Sequence, residues 1–126
     1  MEAKSHMDRK ARLREYKETP RPMGVYRVRN TTNGKSLVGS SINLPAMLNR
    51  HRAQLQMGSH RNRALQQDWN ELGPDVFEFE VLDLLKPSEE AGYDPSDDLR
   101  VLEQLWLEKL LPYGERGYNA EPKRAG

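Results

Sequence analysis

The sequence predicts a small α+β domain: a three-stranded antiparallel sheet flanked by helices, in the order β-β-α-α-β-α. Three observations carry this. Residues 24–29 and 76–82 alternate apolar and polar side chains at the period of a strand. Residues 44–57, 60–74 and 99–111 carry apolar stripes at the period of a helix. The chain has 126 residues, enough for one domain with a modest core.

Each element has its own signal. In the first strand Tyr26 and Val28 face one side, and Val25, Arg27 and Arg29 the other. Asn33-Gly34 marks a hairpin turn, because both residues tolerate positive φ, and residues 36–39 form the returning strand. Asn43 or Leu44 caps the first helix, Pro45 sits in its first turn, and Gly58 lies just past its end. Leu44, Leu48, His51 and Leu55 form its stripe. The second helix has Leu65, Trp69 and Leu72 on its stripe and stops at Gly73-Pro74. In the third strand Phe77, Phe79 and Val81 face inward, while Glu78 and Glu80 form a wet face. An acidic loop with two prolines precedes the last helix, whose stripe is Leu99, Leu102, Trp106 and Leu110.

The expected organisation is a lead-in over residues 1–22, a domain over 23–120 and a short tail over 121–126. Residues 8–18 are helix-prone, and Thr19 to Pro22 form a proline-marked linker. Ser5-His6-Met7 resembles a cloning remnant, which puts the expected natural start at Met7. The chain has no cysteine, which excludes disulfides and thiolate metal sites and fits a cytoplasmic location. No apolar run approaches the roughly 20 residues of a membrane-spanning helix.

The net charge of +1 hides an asymmetry. Residues 1–67 hold 14 Lys/Arg against 4 Asp/Glu; residues 68–126 hold 6 against 15. No acidic residue falls within 41–67, where Arg50, His51, Arg52, His60, Arg61 and Arg63 cluster. Such a one-signed face attracts a polyanion such as nucleic acid. Mutual neutralisation of the two halves is the plainer alternative.

Glu103 breaks the pattern of the last helix. At about 100° per residue it lies about 40° from Leu99 and about 20° from Leu110, so it points with the apolar stripe. A carboxylate there is costly unless it is paired or binds a cation. An arginine partner or water would satisfy it equally.

Together these residues resemble the GIY-YIG nuclease superfamily, in its homing-endonuclease-like branch. The first triplet of the family name corresponds to Gly24-Val25-Tyr26 and the second to Leu37-Val38-Gly39. The glutamate of the family falls on Glu103, its late asparagine on Asn119, and two histidines on His51 and His60. The resemblance covers about residues 23–120, and it implies cleavage of DNA phosphodiesters with one Mg²⁺ or Mn²⁺ held by Glu103. It also implies that Tyr26 orients the attacking water and that His60 or His51 accepts a proton. The DNA partner, single-stranded or duplex, would be held by Arg27, Arg29, Arg50, Arg52, Arg61 and Arg63.

Two positions depart from the pattern. Leu37 stands where the second triplet has tyrosine, and Met47 where the family has its catalytic arginine. Losing one preorganised charged donor costs about a hundred- to a thousandfold in rate. Arg50, three residues on and about 60° around the helix, could reach the same phosphate. The expected catalytic set is therefore Tyr26, Arg50, His60, Glu103 and Asn119. The alternative is a nucleic-acid-binding module that keeps the fold and has lost cleavage; a protein-interaction domain is a third possibility.

Overall fold

The computed structural model describes residues 21–122. The expected helix over 8–18 lies outside the described residues. Within them the elements run β1 (Gly24–Asn30), β2 (Ser36–Ser41), α1 (Leu44–Met57), α2 (Arg63–Leu72), β3 (Phe77–Leu84) and α3 (Ser96–Leu110). The sheet order is β2-β1-β3, with both neighbours antiparallel to the central β1. This is the α+β architecture and element order that the sequence predicts.

Local chemistry explains the boundaries. Asn43 caps α1, its side chain accepting from the Ala46 amide at 3.2 Å, and Gly58 ends the helix in the left-handed region at φ 74°. Asn62 caps α2 by accepting from the Leu65 amide at 3.0 Å. Helix α3 starts at Ser96, three residues before the expected point. Asp97 and Asp98 occupy its first turn, where carboxylates complement the helix dipole. The hairpin turn also differs from expectation. Only Gly34 of the Asn33-Gly34 pair takes positive φ, and residues 31–35 form a longer loop in which the Asn33 side chain accepts from the Lys35 amide.

The core lies between the sheet and helices α1 and α2. Val28, Leu55, Leu65, Trp69, Phe77 and Tyr118 form it, with Leu37 and Phe79 packed against it. Burying side chains of this size stabilises the domain by about 1.5–3 kcal/mol each. Two expected core positions are exposed: Leu72 at the end of α2 and Val81 near the end of β3. Val81 lies beside a bulge opposite Val25 and Tyr26, where the β1–β3 register shifts.

The tail returns to the sheet and closes its open β2 edge. Tyr118 N–H donates to the Ser36 carbonyl, and the Asn119 side chain makes two 2.8 Å bonds to the backbone of Val38. Asn119 thus acts as a short substitute strand. The Tyr118 hydroxyl accepts from Asn30 at 3.1 Å and donates to Asp68 at 2.7 Å, tying the tail to β1 and α2.

Candidate active site

The first site element is the pairing of Tyr26 on β1 with Gly39 on β2. A Cβ added at Gly39 would stand 2.5 Å from the Tyr26 hydroxyl, so only glycine lets the phenol lie across β2. The first glycine of the other triplet is equally constrained, since a Cβ at Gly24 would meet the Asp83 carbonyl at 2.0 Å. These two close approaches are the physical content of the glycines in both triplets.

From Gly39 the Tyr26 ring reaches α1, and its hydroxyl lies 2.8 Å from His51 Nε2. His51 Nδ1 lies 2.8 Å from His60 Nε2, and His60 Nδ1 accepts from the Asn62 amide at 3.0 Å. His60 is buried at 9% exposure. Burial, then the neighbouring His60 and Arg50, hold the His51 pKa down at about 4. Burial also lowers His60. Tyr26 is pushed up to about 12, by burial first and then by the charge of Glu103. At neutral pH both rings are neutral and the phenol is protonated.

Glu103 arrives from α3. Its Oε1 accepts from Ser40 Oγ at 2.9 Å. Ser40 follows Gly39 directly, so two consecutive residues of β2 present the phenol and the carboxylate. Among the described residues no arginine pairs with Glu103, whose hydrogen-bond partner is Ser40. The other carboxylate oxygen, Oε2, has no hydrogen-bond partner among the described residues.

The structure brings some expected site residues together and separates others. Tyr26, His51 and His60 form one hydrogen-bonded chain, and Glu103, bonded to the next β2 residue, lies near enough for its charge to act on Tyr26. Arg50 is exposed on α1 next to His51, and its charge is felt there. Met47 precedes His51 by four residues, hence on the same helix face, and is half-buried. Leu37 packs against the core. Asn119 commits both side-chain atoms to Val38, so its contact with the site is through the strand it clamps.

The arginines divide into two sets. Arg61 and Arg63 are exposed at the start of α2, and Arg52 rests its guanidinium 4.4 Å from the centre of the Phe79 ring. Arg50 is exposed as well. Arg27 and Arg29 point through the other side of the sheet. Arg27 is bonded to Glu80 at 2.6 Å, with the side chains 18% and 27% exposed, and Arg29 adds its charge to the same carboxylate. Burial alone would raise the Glu80 carboxyl, but the Arg27 bond and these charges hold it below its usual value. The packing thus places Arg27 and Arg29, both expected to contact DNA, beside Glu80 on the sheet face away from Tyr26.

Sequence reasoning missed Asn62 and Gln66. Gln66 is buried, accepts from the His60 amide at 3.0 Å and donates to the Leu55 carbonyl at 3.0 Å, bracing the loop that carries His60. A polar residue between Leu65 and Trp69 on an apolar stripe was the available signal.

A tyrosine and an imidazole pair are thus linked by hydrogen bonds beside β2, with a carboxylate bonded to the same strand. The chain belongs to the GIY-YIG family: the family model for the GIY-YIG catalytic domain matches residues 22–119. It is similar to intron-associated endonuclease 1 of Enterobacteria phage T4, 33% identical over 87 residues, covering 69% of this chain and 32% of that protein. The chain thus spans about a third of that relative's length. The catalytic domain of homing endonuclease I-TevI matches with a TM-score of 0.63 and 30% identity over 79% of this chain and 99% of that one. A mutant of the I-TevI catalytic domain matches with a TM-score of 0.65 and 28% identity, covering 83% and 99%.

Proposed function

We propose that this domain is a divalent-cation-dependent DNA endonuclease with a diverged GIY-YIG site. The observation that carries the reading is Tyr26, backed by two imidazoles, within electrostatic reach of Glu103, whose Oε2 has no hydrogen-bond partner among the described residues. The phage relative is named as an endonuclease, and the I-TevI neighbours as catalytic domains of a homing endonuclease.

The donor set suits a hard cation. Among the described residues no three His, Cys, Asp or Glu side chains gather as a metal site. A single carboxylate completed by water and phosphate oxygens is the arrangement Mg²⁺ favours, and it would serve Zn²⁺ poorly. Glu103 would hold the ion, which when bound supplies charge neutralisation at the phosphate and the departing oxygen.

The chain's own groups do the rest. Hydrolysis forms a P–O bond from water and breaks the bond to the 3′ oxygen; the water's proton passes to solvent, and the 3′ oxygen takes one up from solvent. Tyr26 orients that water through its hydroxyl. Both imidazoles have their lone pairs and protons engaged, so they hold Tyr26 in place rather than accept the water's proton. Arg50 supplies positive charge near the position where Met47 replaces the family arginine. Arg52, Arg61 and Arg63 extend the attraction along the backbone of the nucleic acid.

A non-cleaving nucleic-acid-binding module is the second reading, favoured by Leu37, which serves the core, and by Met47. The test is incubation with single-stranded, duplex and branched DNA, in Mg²⁺ or Mn²⁺ and in chelator, for wild type and Glu103→Gln. The nuclease reading expects cation-dependent cleavage, lost by about a hundredfold or more in Glu103→Gln with DNA binding kept. Binding without cleavage under every condition would establish the second reading.

A further inference from the structure

His60 is the innermost member of the imidazole pair, and its hydrogen bonds set the direction of everything beyond it. A backbone amide can only donate, so the bond from the Asn62 amide leaves His60 Nδ1 without a proton. The single proton of neutral His60 then sits on Nε2, 2.8 Å from His51 Nδ1, which must accept. Neutral His51 in turn carries its proton on Nε2, 2.8 Å from the Tyr26 hydroxyl oxygen. That oxygen accepts, and the phenolic proton is left to point elsewhere. One amide at the start of α2 thereby orients a chain of three side chains. Gln66 keeps the amide in register by holding the His60 backbone N–H and the Leu55 carbonyl at once.

We infer that His60 is a positioning residue: it holds His51 in the Nε2–H tautomer, so that Tyr26 receives a hydrogen bond from the protein and turns its own proton toward the substrate. The opposite polarity would need a proton on His60 Nδ1, facing the Asn62 N–H donor to donor. The same arrangement stabilises negative charge on the Tyr26 oxygen while the phenol is donating. Wrong-tautomer imidazole is a known way to lose catalysis with geometry intact. The kinetic half of this inference rests on the nuclease reading; the tautomer half does not.

The experiment is two-part and uses the full chain. With ¹⁵N-labelled histidine, long-range ¹H–¹⁵N correlation spectra assign each ring's tautomer. His51 and His60 should both be neutral and protonated at Nε2 at about pH 7. An Nδ1–H tautomer on either ring overturns the inference, whatever the activity. The second part compares DNA cleavage by His60→Ala and His60→Gln. His60→Ala should lower kcat about 10- to 100-fold, the scale seen when an orienting partner is removed, with Kd for DNA unchanged. The Gln amide can donate to His51 Nδ1 at similar reach, so His60→Gln should recover much of that loss and restore the His51 Nε2–H signal. Wild-type kcat in His60→Ala, or a restored His51 signal with no recovery of kcat, overturns it. If wild type binds DNA without cutting, the nuclease reading fails and the spectra alone decide the tautomer.

Discussion

Tyr26 and Tyr118 invite comparison. Both are buried tyrosines with a hydrogen-bonded hydroxyl, and burial leads in pushing both up to about 12. The difference is in what each hydroxyl has left to give. Tyr118 accepts from Asn30 and donates to Asp68, so its capacity is spent inside the fold. Among the described residues the Tyr26 hydroxyl has His51 as its one partner, and in the tautomer inferred above the phenol oxygen accepts that bond. A displaced pKa therefore fails to tell a working phenol from a structural one. Unspent hydrogen-bonding capacity at the edge of a sheet tells them apart.

The largest effect expected from this contrast concerns the structural tyrosine. Tyr118→Phe strands Asp68 and one Asn30 donor, which should cost about 1–3 kcal/mol. The melting temperature should fall by roughly 4–8 °C for each kcal/mol in a domain of this size, while kcat measured well below the transition stays near wild type. A large loss of kcat in the folded variant would erase the distinction between the two tyrosines.

The next effect is pH-dependent stability from His51. Its folded pKa, about 4, lies below the unfolded value of 6.5. The unfolded chain therefore takes up a proton on acidification that the native protein refuses. The stabilisation is fully present above pH 6.5 and declines as pH falls toward about 4. Because the ring is only about half-buried, screening reduces this to about 1–2 kcal/mol. Denaturant melts across that window should show the loss in wild type and a smaller one in His51→Gln.

The smallest is a gain. Met47→Arg restores a charged donor one helical turn before His51 and should raise kcat by about tenfold, equivalent to roughly 1.4 kcal/mol. An unchanged rate would mean that Arg50 already fills the role.

How far the sequence discloses these roles depends on the range of the interactions. The sheet and helices were legible because their causes are local: alternation in 24–29 and 76–82, Asn43 and Gly58 around α1, Gly73 after α2. Glu103 was legible because a carboxylate on an apolar stripe is conspicuous within one helix. The imidazole chain was only half legible. His51 reads as a core histidine from its stripe, and nothing local says that His60, nine residues on, turns back to meet it. The pairing of Arg27 with Glu80, 53 residues apart, and the clamp of Asn119 on Val38, 81 residues apart, depend on sheet register and chain return. Those partners become neighbours only once the core has formed. The split of the arginines into two faces follows from the same register: Arg27 and Arg29 alternate with Tyr26 and Val28 and so leave the Tyr26 side.

In the proposed reaction the hydroxyl of Tyr26 serves phosphodiester cleavage. The most direct measurement is single-turnover cleavage of DNA in Mg²⁺ by Tyr26→Phe, beside wild type and with a melting curve on the same sample. Phenylalanine keeps the ring over Gly39 and removes only the hydroxyl. The rate should fall by about a hundred- to a thousandfold, with the fold and DNA affinity retained. Cleavage by folded Tyr26→Phe at the wild-type rate would contradict it.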